Sequence, residues 1–550
     1  MSRNLLVLAL LLPLAACSNP DREHGASLVI YGPVWTGDET APTATAVAIR
    51  GDTIVAVGDS AEIATWVSTG TEVISTTGMV VPGFGDGHVH LLDGGLQLSS
   101  VDLRDAATPA EFIRRIAEFA KTHPKGEWIT GGTWDHENWG GELPTRHWID
   151  SVTPEHPVMV QRLDGHMALA NSLALQLAGL DRTMADIEGG EIIRDASGEL
   201  TGLLKDEAMN PVYAAIPELS PTRTDSAVVA AMRHANSLGI TNVSAVSAGA
   251  EIWATERLRA AGMQTIRVSF YPALSNWRMV ADSMNARGPG DDWIRLAGVK
   301  GFVDGSLGST TAAFFDPYLD EPSSRGLMVT PEDSLRAWIG AADSAGVQVV
   351  VHAIGDRANA LLLDIFDSVA AAHGERDRRF RIEHAQHLRQ EEIDRMARTG
   401  VIASMQPYHA ADDGRWAAKR IREPQLRGTY AFHSVLEAGG HLMFGSDWYV
   451  APLSPLLGIW AAVERQTIDG ANPEGWYPEQ RVTVDQALAA YTRANAFGTF
   501  AEARRGTIRP GMLADVVVLD RDLRTIPADQ IKDVAVQVTV VGGRVVYRAR

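Results

Sequence analysis

The chain has 550 residues, of which 45% are hydrophobic and 21% charged, and its net charge is −19. That length can bury a large core and exceeds one simple domain, and the composition is globular. So acidic a balance excludes a general nucleic-acid binder, whose phosphate contacts need clustered Lys and Arg.

Residues 1–25 read as a signal and tether. Arg3 precedes an apolar run, Leu5 to Leu14, too short to span a bilayer. Leu14-Ala15-Ala16-Cys17 follows, and small residues before a Cys at this place resemble a bacterial lipobox. The resemblance implies a lipidated Cys17. With Ser18 next, it implies an exported lipoprotein on the periplasmic side of the outer membrane, touching the membrane through its lipid anchor only. An ordinary cleaved signal with a chance Cys is the alternative. Cys17 is the only Cys, so no intramolecular disulfide can form.

Three short β-prone runs, LVIYG, TAVAIRG and TIVAVG, lie in 26–80, and ADVVVLD and VAVQVTVVGGRVVY return in 501–550. They predict a composite β-sandwich made by the two ends of the chain, which must therefore meet in space. Within 81–500, buried strands alternate with helical stretches, the pattern of a parallel α/β fold. In order, the strands are the run ending in Asp86-Gly-His-Val-His90, TNVSAVSA near Val243, IRVSFYP near Phe270 and LAGVKGFVDG with Lys300. VQVVVHAIGD with His352, FRIEHAQH with His384, VIASMQPYH ending near Gln406 and HLMFGSDW ending at Asp447 complete the set. Eight such strands predict a (β/α)8 TIM barrel, interrupted at about 95–223 by an insertion with its own β-like runs, EWITGGTW and PVMVQRL.

His88 and His90 stand at i and i+2, so a strand would point both imidazoles to one face. A lone H-x-H is a weak signal. Here it is delivered by Pro-Gly-Phe-Gly-Asp-Gly after an apolar run, and barrel enzymes carry their active sites at C-terminal strand ends. His352, His384 and Asp447 also follow apolar strands. Any one of them could be a satisfied buried polar residue; four His and an Asp in barrel order point instead to a divalent-metal site. Imidazole suits zinc, and catalysis needs one position open to water.

PGFGDGHVH, VVVHAIGDRA, RIEHAQH and FGSDW resemble the metal motifs of the amidohydrolase superfamily, and most closely its YtcJ-like, amidohydrolase-3 branch. Supporting stretches are GGTWDHENWGGELPTRHWID, VDGSLGSTTA and GTIRPGMLADVVVLD. The resemblance implies His88, His90, His352 and His384 as metal ligands, and Asp447 as ligand and general base. It implies one or two divalent ions per chain, zinc by ligand type. Lys300, in VKGFVDGS, sits where many members carry a carboxylated Lys that bridges two metals. An ion pair of Lys300 with Asp304 is the plainer reading, and Lys205 in GLLKDE is a rival that ranks lower because it lies in the insertion.

Trp134, His136, Trp139, Asp164 and His166 from the insertion, with Asp304 and Tyr408, are candidates to line a substrate pocket. An aromatic mini-core with loop capping would explain the insertion residues equally well. The implied activity is hydrolysis of an amide or cyclic amide of a small molecule by activated water. Deamination, ester or lactone hydrolysis, and ligand capture by a non-enzymatic surface lipoprotein stay open, because fold does not fix function. Homodimer formation is likewise left open.

Overall fold

The computed structural model describes residues 25–550. Cys17 and the lipid-anchor expectation lie outside the described residues.

The two ends of the chain do meet. Met79–Pro82 pairs antiparallel with Val516–Leu519, Val517 opposite Val81, and this pairing joins N-terminal strands such as Leu28–Trp35 and Thr43–Arg50 to Val536–Val541 and Arg544–Arg548. Where a sandwich was expected, the strands of the two chain ends form one continuous eight-stranded sheet. Alternation along the strands explains its two buried faces. Met79, Val81, Val517 and Leu519 join the core of the central α/β unit, while Val80, Val516 and Val518 pack with Leu28, Ile30 and Val47 in a cluster of their own.

The eight predicted central strands are all present: β1 Phe84–Val89, β2 Ile240–Val246, β3 Arg267–Tyr271, β4 Gly298–Phe302, β5 Gln348–Ala353, β6 Arg381–His384, β7 Ile402–Met405 and β8 His441–Phe444. They form two parallel sheets. One runs β1-β2-β3 and ends on the short strand Ile294–Leu296; the other runs β4 to β8 in sequence order. Single parallel bridges meet at both seams: Ala273 with Lys300 between the β3 end and β4, and Val89 with Trp448 between β1 and the β8 end. Helices such as Pro221–Ser237, Glu332–Ser344 and Asp356–His373 connect the strands, as parallel pairing requires.

The insertion forms a six-stranded sheet of its own, from Val101–Asp102 to Leu200–Asp206. Among the described residues no helix is long and apolar enough to cross a membrane.

Candidate metal centre

Both seams fall where the strand-end residues sit. Lys300 N–H donates to Pro272 O at 2.8 Å, His90 N–H to Trp448 O at 2.7 Å, and Asp447 N–H to His88 O at 2.8 Å. The backbone bonds that hold the sheets together therefore also fix these side chains. Asp86, not singled out from sequence, tightens the second seam, because its buried carboxylate accepts from the N–H groups of His88 and Ser446.

His88, His90 and Asp447 converge with their ligating atoms within 4.8 Å of one another, and Asp447 Oδ1 stands 3.4 Å from Nε2 of each imidazole. His88 Nδ1 is 2.5 Å from Glu383 Oε2, which orients the ring and leaves Nε2 facing Asp447. Glu383 is in turn held by Arg381 at 2.6 Å and by Ser404 Oγ at 2.9 Å. Such carboxylate–His support behind a ligand fixes its tautomer and orientation. Burial brings the His88 imidazole down to about 4, with Lys300 adding to the shift, so the ring is neutral at ordinary pH. Burial opposes ionisation of Asp447, yet the surrounding imidazoles of His88, His90 and His384 hold its carboxyl well below the usual range.

Lys300 is 1% exposed, with Nζ 3.4 Å from His88 Nε2 and 4.4 Å above the Phe302 ring. Burial lowers it to about 8. Asp304 is not its ion-pair partner. That carboxylate accepts from the backbone N–H groups of Ala313, Ile354 and Gly355, and so ties the loop after β4 to the end of β5. Lys205 lies apart, paired with Glu191 at 2.9 Å on the insertion sheet.

A second convergence shares Asp447. Ligating atoms of His384, His409 and Asp447 also lie within 4.8 Å of one another. The His352 and His384 rings are 4.5 Å apart, and His352 Nε2 is 3.0 Å from Gly305 O. His384 Nδ1 is 2.9 Å from Gln406 Oε1, leaving Nε2 for other contacts. His384 and Asp447 both adopt positive φ, 74° and 59°. Non-glycine residues there carry roughly 1–3 kcal/mol of strain each and cluster at functional sites.

The donor set fits a divalent cation. Asp447 Oδ1 and His409 Nε2 are buried and have no hydrogen-bond partner. A buried polar atom left unpaired costs about 1–3 kcal/mol, which a bound ion would offset. Imidazole nitrogen with carboxylate oxygen is the ligand chemistry of zinc and similar ions.

These groups open on a cavity of about 40 Å3, whose other wall comes from the insertion. Asp164 and His166 line it. Asp164 accepts from Arg162 and from Ser306 and Ser309, whereas His166 Nδ1 is 2.5 Å from Asp206 Oδ1. Burial works against a charged His166, but the Asp206 carboxylate raises its affinity for a proton. Other candidates lie elsewhere. Trp134 packs edge-on to Phe112 and stacks with Trp139, and its Nε1–H donates to Val160 O: it belongs to the mini-core. His136 stands behind Arg162, whose Nε–H reaches His136 Nδ1 at 3.3 Å. Tyr408 does not reach the cavity, whereas its neighbour His409 does.

The profile of the amidohydrolase family matches residues 76–547. The protein LONG AFTER FAR-RED 3 of Arabidopsis thaliana is 40% identical over 94% of this chain and 91% of its own. The Bacillus subtilis protein YtcJ, an amidohydrolase by its name, is 32% identical over 87% and 90%. The N-substituted formamide deformylase of Arthrobacter pascens is 27% identical over 94% and 98%. Among solved structures, an uncharacterized metal-dependent hydrolase from Pyrococcus horikoshii OT3 superposes with a TM-score of 0.73 at 28% identity, covering 91% of this chain and 99% of that one.

Proposed function

The chain belongs to the amidohydrolase family of metal-dependent hydrolases, and on that premise we propose that it cleaves an amide or cyclic-amide C–N bond of a small molecule. The observation that carries this reading is Asp447, ionised, buried and unpartnered at Oδ1, at the meeting point of two imidazole groups. The formamide-cleaving relative supports the bond type. Read together, the two parallel sheets are the arcs of one (β/α)8 barrel, with the site at the C-terminal strand ends.

When bound, one or two divalent cations, zinc by ligand chemistry, lower the pKa of a water towards neutrality and polarise the scissile carbonyl. The chain's own groups do the rest. The Asp447 carboxylate accepts the proton of the attacking water and delivers it to the leaving nitrogen. Glu383 and Gln406 keep the His88 and His384 rings in register. The insertion, braced by Arg162, closes the cavity and shields the reacting groups from bulk water.

Lys300 supports a two-ion version. A protonated amine would repel both ions, while a carboxylated one offers two oxygens to share. Lys300→Ala should remove about one ion per chain, with activity partly rescued by short carboxylates. Full metal content in the variant refutes the bridge.

Residues 1–25 support a separate proposal, anchoring at the periplasmic side of the outer membrane through a lipidated Cys17. Cys17→Ser should release the protein to the soluble fraction, and equal membrane association of variant and parent refutes it.

The main reading is tested by chelating the protein and assaying N-formyl and N-acetyl amines, cyclic amides, esters and lactones. We expect amide cleavage that chelation abolishes and zinc restores. Turnover confined to esters or lactones, or undiminished in metal-free protein, contradicts it.

A further inference from the structure

We propose that His409 is a metal ligand, forming with His384 and Asp447 a second cation position that shares Asp447 with the His88/His90 position. This inference rests on the metal-dependent reading above, but it concerns a residue that none of the recognised motifs contains.

The geometry converges on it. The ligating atoms of His384, His409 and Asp447 lie within 4.8 Å of one another. The His384 and His409 rings are nearly parallel, 10° apart in plane with centroids at 6.4 Å, so both present their edges to the same space. His409 Nε2 is buried and meets no donor or acceptor of the protein.

Local structure explains how the residue gets there. β7 ends at Met405, and the short helix Pro407–Asp413 starts at once, with Gln406 as its N-cap. Gln406, still extended, and His409, in the first turn of the helix, are three residues apart across this junction. Gln406 fixes His384 through Nδ1 at 2.9 Å, and His409 presents its own nitrogen to the same space. One short stretch of chain therefore orients one ligand and supplies the next. The other two members adopt positive φ, 74° and 59°, which turns both side chains toward that space.

Metal-free protein is titrated with Co2+, followed by calorimetry and visible absorption. The parent should take up about two ions per chain. His409→Asn should lose the second or weaken it by at least about tenfold, the usual scale for losing a group that supports a metal site, while the first persists. His409→Cys, made in a Cys17→Ser background that contains no other thiol, should bind both ions and gain a thiolate-to-cobalt charge-transfer band, since thiolate is itself a good ligand. If His409→Asn binds Co2+ as the parent does and His409→Cys shows no such band, His409 is not a ligand and the inference falls. A parent that binds no Co2+ overturns the metal-dependent reading itself, which separates the two failures.

Discussion

On the strand-end wall of the cavity, Asp447 Oδ1 and His409 Nε2 are buried with no hydrogen-bond partner. On the insertion wall, Arg162 donates to Asp135, Asp164 and His136 together, and Asp164 collects Ser306 and Ser309 as well. Both walls are buried and rich in charge. The first leaves its polar atoms waiting for something from outside the chain, whereas the second satisfies most of them internally, the open Asp206 Oδ2 beside His166 being the exception. The contrast separates groups that bind and react from groups that brace. Substitutions should accordingly cost activity on one wall and stability on the other.

Asp447→Asn is the largest expected effect on the strand-end wall. The amide is nearly isosteric and the fold should persist, but the proton acceptor is gone, so turnover should fall by roughly 10²–10⁴-fold. Steady-state kinetics on metal-loaded protein of unchanged melting temperature measures this. Near-parental turnover would place the base elsewhere and break the contrast.

Arg162→Met tests the bracing wall. Asp135 and Asp164 would be left as buried carboxylates without their shared guanidinium, and breaking such a pair costs about 3–5 kcal/mol. Chemical denaturation should show that loss. A variant of parental stability but lost turnover would move Arg162 into the reacting set.

Trp134→Phe is the smallest. It removes one buried hydrogen bond, to Val160 O, and leaves an aromatic ring in the Phe112–Trp139 cluster. Stability should drop by about 1 kcal/mol, with kcat/KM unchanged. A changed specificity would return Trp134 to the pocket.

The same contrast explains what was legible in the sequence. The eight strands, the paired chain ends and the strand-end positions of His88, His90, His352, His384 and Asp447 follow from short-range patterns, an i, i+2 pair or a polar residue closing an apolar run, whereas Lys300 came only from the family resemblance. Glu383 and His384 show where such patterns stop. Adjacent residues on a regular strand point to opposite faces. Yet Glu383 bonds His88 while the His384 ring lies 5.0 Å from it, because His384 leaves the strand conformation at φ 74°. No periodicity encodes that turn. His409 was equally hidden. It lies past the end of β7 on a short helix, and Tyr408 beside it looks the better pocket residue until the helix sets their directions. In the insertion, aromatic and charged residues gave no sign of which would face the cavity, since Trp134 and His166 differ only in tertiary partners.

Divalent cations are proposed to bind where Asp447 meets the two imidazole groups. Crystals of the zinc-loaded protein, measured on either side of the zinc absorption edge, test it directly. An anomalous peak bounded by His88, His90 and Asp447 is expected, with a second beside His384 and His409. Amide-cleaving crystals with no anomalous density at Asp447 would contradict it.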